Sequence, residues 1–167
     1  MCRAVWSTSL SRSAAIILAL LIAGCGFQMQ GALRTPPEMA RTFIDVDDRN
    51  SLFARELHAQ LQRADVDIVD TATAATARLS ISYEETDQRV LSVSARNVPT
   101  EYEVYYTIQY AIDAGARRIL ESQTLTVTRN YTYDSTLVLG KAREEELLRD
   151  AIVEDLVRIV LKQIATL

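Results

Sequence analysis

Tyr102, Val104, Tyr106, Ile108, Tyr110 and Ile112 place an apolar side chain at every second position, with Glu101, Glu103, Thr107, Gln109 and Asp113 between and around them. Only a β-strand sends alternate residues to opposite faces, so this stretch predicts a strand with one buried and one wet side. Asp113-Ala114-Gly115-Ala116 follows and predicts a hairpin turn, with Gly115 supplying the positive φ. On the return strand Ile119, Leu125 and Val127 oppose Thr124, Thr126 and Thr128. Upstream, Leu79, Ile81 and Tyr83 alternate with Arg78, Ser80, Ser82 and Glu84, and a weaker alternation resumes after Asp87 through Ser94. A three-stranded antiparallel meander is the simplest arrangement.

Helical signals flank the meander. Asn50 and Ser51 can cap a helix whose Phe53, Leu57, Leu61 and Ala64 recur on one face through about Arg63. The final stretch from about Leu139 to Ile164 carries Leu148, Ile152, Leu156, Ile159, Val160 and Ile164 as an apolar stripe. Glu154, Arg158 and Lys162 lie opposite, with Glu154 four residues before Arg158 in the favourable direction for a pair. Arg41–Val46 predicts a short strand, Asp65–Asp70 a strand end or edge, and Thr71–Thr76 a small-residue loop. The order β-α-β-β-β-α predicts a single α+β domain over residues 41–167. Its expected form is a twisted, mixed four-stranded sheet with both helices packed on one face. The first β-α-β step is expected to be a right-handed parallel crossover. The Thr-rich polar face is left wet or available for docking.

The N-terminus carries an address. Arg3 and Arg12 precede Ala14–Ala23, an apolar run of ten residues with no acid before it. Ten helical residues rise about 15 Å, short of a ~30 Å hydrocarbon core, so the run predicts a signal-peptide core over residues 1–24 and not a membrane span. Leu21-Ile22-Ala23-Gly24-Cys25 resembles the lipobox of bacterial lipoproteins, where the cysteine is acylated and the chain cut before it; an ordinary secretory peptide ending in cysteine is the plainer alternative. Gly26, where enterobacterial sorting would read aspartate for retention, implies transfer to the outer membrane. Residues 25–40, with Pro36-Pro37, predict a lipidated tether. Each buried methylene adds ~0.8 kcal/mol, so several acyl chains would hold the protein firmly.

Charge and composition narrow the chemistry. The chain of 167 residues carries net charge -4, and removal of Met1–Gly24 would take away two bases and no acid. An acidic domain of this kind is a poor binder of nucleic acid, which needs Lys and Arg to displace counterions. Cys2 and Cys25 are the only cysteines and His58 the only histidine, so neither a disulfide framework nor a Cys/His metal site is expected in the body. There is no Gly-x-Ser-x-Gly element and no Gly-rich phosphate loop. Asp45, Asp47 and Asp48 lack the glycine and distal glutamate of a calcium loop. Glu144-Glu145-Glu146 suits the start of a helix through its dipole. No enzymatic activity and no cofactor are expected.

Two loops stand out. Ser94–Thr100 joins two long strands and carries the lone base Arg96; Asn130–Asp134 carries Tyr131 and Tyr133 and runs to Lys141, a cation placed against the helix dipole. Both cations can equally be read as solvated charges, and both tyrosines as strand-end packing.

With the lipobox, the Cys25-Gly26-Phe27 start, the Arg96-Asn97 to Glu101-Tyr102 junction, the hairpin and the Lys141-bearing last helix in place, the chain resembles the LPS-assembly lipoprotein family, LptE. The resemblance covers essentially the whole mature chain and rests on the order and spacing of short motifs. It implies an outer-membrane lipoprotein that plugs and helps assemble a large β-barrel partner, LptD, and takes part in lipopolysaccharide delivery to the outer leaflet. It further implies that Arg96 and Lys141 contact lipopolysaccharide. Two departures are the short end after the last helix and the Tyr131/Tyr133 loop, which leaves the ligand contacts there open. The other functional reading is an auxiliary lipoprotein of a lipid-transport ABC system.

Overall fold

A computed structural model describes residues 35–133 and 138–167. The signal segment, Cys25 and the tether up to residue 34 lie outside the described residues, as does Asp134. The elements are β1 (Arg41–Asp45), α1 (Leu52–Arg63), β2 (Asp67–Ile68), β3 (Ala77–Val93), β4 (Pro99–Ala114), β5 (Arg117–Thr132) and α2 (Val138–Ile164). They form one mixed sheet in the order β2-β1-β3-β4-β5. The α+β class stands, but the sheet has five strands and not four. The extra member is the two-residue β2, which pairs parallel to β1 through Arg41↔Asp67 and Thr42↔Ile68. Two residues are too short a segment for alternation to announce as a full strand. β1 also pairs parallel to β3, and β3-β4-β5 is the expected antiparallel meander.

Each helix follows from its caps and stripe. Ser51 Oγ accepts from the Ala54 amide at 3.0 Å, closing one of the unpaired donors at the start of α1. Phe53, Ala54, Leu57 and Leu61 of that helix are buried. The buried stripe of α2 is Ile152, Val153, Leu156, Val157, Val160 and Ile164, with Leu148 half-buried. Ile159, expected in the stripe, is 37% exposed. Val153 and Val157 take the inward positions because a stripe packed on a sheet and a second helix is wider than one row. Arg158 pairs with Asp155 at 2.7 Å in place of the expected Glu154. Among the described residues, no helix is long and apolar enough to cross a membrane.

Both helices share one core with one face of the sheet, including Leu79, Ile81, Val104, Ile108 and Ile112. Met39, in a short 3-10 turn at Pro37–Met39, is fully buried, so packing begins ahead of the expected residue 41 boundary. Thr42, also fully buried, donates its hydroxyl to the Met39 carbonyl at 2.8 Å, which satisfies it. Gly115 adopts φ +57 at the β4–β5 turn, as the turn chemistry required.

The alternation of β3 breaks at one point. Ile81 pairs with Tyr110 but Tyr83 with Gln109, so β3 carries an extra residue there. A bulge of this kind reverses the phase of every residue beyond it. Tyr83, expected inward, is exposed, and Glu84, expected outward, turns toward the helices. There its carboxylate accepts from Ser51 Oγ at 3.1 Å and from the Tyr106 hydroxyl.

Candidate functional site

The register defines the uncovered face of the sheet. On β3 it presents Glu85, Asp87 and Arg89; on β4 Glu103, Tyr105, Thr107 and Gln109; on β5 Thr124, Thr126, Thr128 and Asn130. No described element packs on this side. Its side chains are tied laterally. The Thr107 and Thr126 hydroxyls lie 2.9 Å apart, and the Tyr83 hydroxyl donates to Glu85 at 2.7 Å. Arg89 pairs with Glu103 across the strands and lies 5.8 Å from the Tyr105 ring centre. Cross-strand pairs of this type hold a polar surface flat and ordered. The toe of the face toward the β3–β4 turn is acidic, with four carboxylates (Glu85, Asp87, Glu101, Glu103) against Arg89.

Strand pairing brings both loops singled out in the sequence to one end of the sheet. Arg96 sits at the β3–β4 turn, exposed and without an ion-pair partner among the described residues. Asn97 beside it takes φ +60, a conformation asparagine tolerates, and its amide donates to the Ser94 carbonyl at 2.8 Å. The end of β5 lies alongside, since Glu101 pairs with Thr132 and the Tyr133 amide donates to Thr100 at 2.8 Å. Lys141 is the fourth residue of α2, which follows β5. Its side chain is only 18% exposed, and its ammonium pairs with Glu144 at 2.7 Å. Arg96 is thus the open cation of the pair and Lys141 the occupied one. Glu145 pairs with Arg149 at 2.8 Å and Glu146 with Arg143, so each residue of the glutamate run has its own cation.

The tyrosines at this end are packing residues. Tyr131 is buried, stacks on Tyr102 at 5.7 Å and donates to Gln88 at 2.9 Å. Tyr133 meets Tyr102 edge-on at 5.4 Å. Burial, followed by the nearby Glu145 carboxylate, raises the Tyr131 hydroxyl above its ordinary range. Two features escaped the sequence reading. One is inward Glu84, hidden by the bulge. The other is a group of exposed aliphatic residues, Val90, Leu91, Val93 and Val98, around the turn that bears Arg96. The consecutive pair Val90-Leu91, out of step with alternation, was the available signal.

His58 is exposed on α1, at the rim of a cavity of about 320 Å³ between α1 and the β1–β2 edge. Among the described residues no group of His, Cys, Asp or Glu is placed to hold a metal ion. Asp45 is engaged by Arg78, and Asp48 accepts from the Asn50 amide at 2.8 Å.

A family model described as LptE, lipopolysaccharide-assembly, matches residues 40–164. A protein of Pectobacterium atrosepticum named LPS-assembly lipoprotein LptE is 26% identical over 151 residues, covering 89% of this chain and 80% of that one. One of the same name from Yersinia pestis is 27% identical over 150 residues, covering 88% and 71%. Among solved structures, lipoprotein B from Nitrosomonas europaea superposes with a TM-score of 0.70 at 24% identity, over 84% of this chain and 90% of that one. The rare lipoprotein B from Shewanella oneidensis gives 0.66 at 22%, over 75% and 94%. Those structures share the fold.

Proposed function

This chain belongs to the LptE lipopolysaccharide-assembly family, and from that premise we propose that it is a non-catalytic outer-membrane lipoprotein, anchored through Cys25, that plugs an LptD-like β-barrel and binds lipopolysaccharide. The observation that carries this reading is the one-sided sheet. Three strands of 16 or 17 residues expose a continuous polar face that no described element covers. Strands usually run five or six residues, and a sheet of this length with a bare polar side is a large surface to leave without use. A barrel with a water-filled, polar lumen offers the matching environment. A photo-crosslinker at Thr126, in the middle of β5, is expected to capture a large outer-membrane barrel in intact cells. Capture of nothing barrel-sized from Thr126 or from Thr107 would remove the plug from the proposal.

The lipid-binding part of the reading rests on the distal cations. A phosphate on lipid A would accept charge-assisted hydrogen bonds from Arg96 directly, and from Lys141 once Glu144 is displaced. A charged hydrogen bond contributes about 1.5–3 kcal/mol, so Arg96→Asp is expected to weaken lipopolysaccharide binding roughly tenfold or more. Lys141→Asp is expected to do less, because its ammonium is already paired. Titration calorimetry with purified lipopolysaccharide measures both. Unchanged affinity with both charges reversed would return them to the solvated surface.

A further inference from the structure

Four of the eight large hydrophobic side chains that stand exposed among the described residues fall within nine positions of one another: Val90 at 47%, Leu91 at 43%, Val93 at 52% and Val98 at 45%. They surround the β3–β4 turn. Val90 pairs with Tyr102 and so belongs to the face that the helices cover, yet about half its surface is bare; the helix layer ends before the turn. Two successive register shifts, between Val90 and Ser92 and between Ser92 and Val93, break the alternation here. The result is a cluster of exposed aliphatic side chains at the tip of the hairpin.

The surroundings of these residues identify what they meet. No acidic residue occurs between Asp87 and Glu101, the carboxylates in register across from this segment are engaged (Glu101 by Ser92 Oγ at 3.0 Å, Glu103 by Arg89), and the exposed cation Arg96 sits among the aliphatics. The tip carries no aromatic side chain, whereas protein–protein anchors are enriched in Trp and Tyr. Three backbone amides of the turn bond within it: the Ser94 amide donates to the Val98 carbonyl at 2.8 Å, the Asn97 amide to the Ser94 carbonyl at 2.8 Å, and the Val98 amide to Ser94 Oγ at 3.3 Å. Aliphatic surface and an open cation together complement an anionic amphiphile, with its chains on the valines and leucine and its charged head on the guanidinium.

We infer that the β3–β4 tip is an acyl-chain wedge. Val90, Leu91, Val93 and Val98 enter the hydrocarbon of lipopolysaccharide while Arg96 stays at the level of its phosphates. This rests on the lipopolysaccharide reading above and adds a hydrophobic contact to it.

The only tryptophan of the chain is Trp6, within the signal segment, so Leu91→Trp gives the mature protein a single fluorescent reporter at the tip. The anchor-free chain 26–167 keeps every buried core residue from Met39 to Ile164 and cannot reach lipid through acylation. In vesicles of phosphatidylethanolamine with brominated acyl chains and lipopolysaccharide, the indole emission of the Leu91→Trp variant is expected to shift to the blue and to be quenched. The Thr126→Trp variant should show neither effect. Val93→Asp with Val98→Asp, both at exposed positions that leave the core intact, should weaken binding about tenfold or more. Binding that persists while the reporter at position 91 stays unshifted and unquenched overturns the wedge, and the phosphate contact stands. Failure of lipopolysaccharide to bind the unsubstituted chain overturns both. Equal quenching at positions 91 and 126 shows general adsorption and overturns the wedge.

Discussion

Ile108→Glu is expected to leave no folded protein, whereas Gln109→Glu, one residue further along, is expected to shift stability by less than about 0.5 kcal/mol. Ile108 is fully buried in the interior strand β4, flanked in register by Glu84 and Leu125. The substitution removes an isoleucine worth about 1.5–3 kcal/mol of burial and places a second carboxylate beside the inward Glu84. Burying an unpaired charge costs several further kcal/mol, against a typical total stability of about 5–15. Gln109 points to the uncovered face between Tyr83 and Thr124, neither of which is charged. Urea unfolding of the two variants checks the contrast. A cooperative transition of wild-type midpoint for Ile108→Glu would mean that this face of β4 is not the core.

Alkaline pH is the second strong lever. Tyr110 is 1% exposed, and burial pushes its hydroxyl from 10.0 to about 12. Tyr106 is raised further still, by burial first and then by its hydrogen bond to Glu84. For an acid whose folded value lies above its unfolded value, the neutral form is the one the fold favours. The associated stability is fully present below the unfolded value near 10. It is lost as pH rises from about 10 toward 12, because the unfolded chain releases the proton first. At pH 11 each tyrosine is expected to subtract about 1.4 kcal/mol, or about 3 kcal/mol together. Urea midpoints at pH 8 and pH 11 measure this loss. Tyr110→Phe is expected to lose about half as much between the two. An equal loss in that variant would place the alkaline sensitivity elsewhere.

Much of the fold was legible because its signals were long. The row from Tyr102 to Ile112 set the central strand and its buried face, Gly115 set the turn, and Ser51 set the start of α1. What stayed hidden was short or out of phase. Asp65–Asp70 read as a strand end or edge, and β2 does lie there at the sheet edge, but its two residues were too few to count as a separate strand. The bulge at Ser82–Tyr83 inserts a single residue, which a two-residue period cannot distinguish from a change of polarity. It therefore exchanged the faces assigned to Tyr83 and Glu84. At the distal end, spacing placed Arg96 in a loop and Lys141 at the entrance of the last helix, and the register brings the Arg96 turn beside the end of β5. Sequence alone could not show that Glu144 already occupies Lys141, because a partner three residues away depends on rotamers as well as spacing. Nor could it show that the tyrosines pack on one another, which depends on strands joining across the turn.

The bulge also sets a rule for changes of length. Beyond Tyr83, β3 runs on through Arg89 with each side chain committed to the helices or to the open face. Deleting Ser82 would remove the extra residue and leave Tyr83 on Gln109 with every face unchanged, whereas deleting Glu85 would rotate the rest of the strand by one step, sending Asp87 and Arg89 beneath α2 and Thr86 and Gln88 into water. Tolerated insertions and deletions in this hairpin should therefore come in pairs, one on each strand, or fall at the bulge or the tip. A solitary gained or lost residue between Glu84 and Arg89 would act as a frameshift of surfaces, with the amino acids that follow it unchanged in identity.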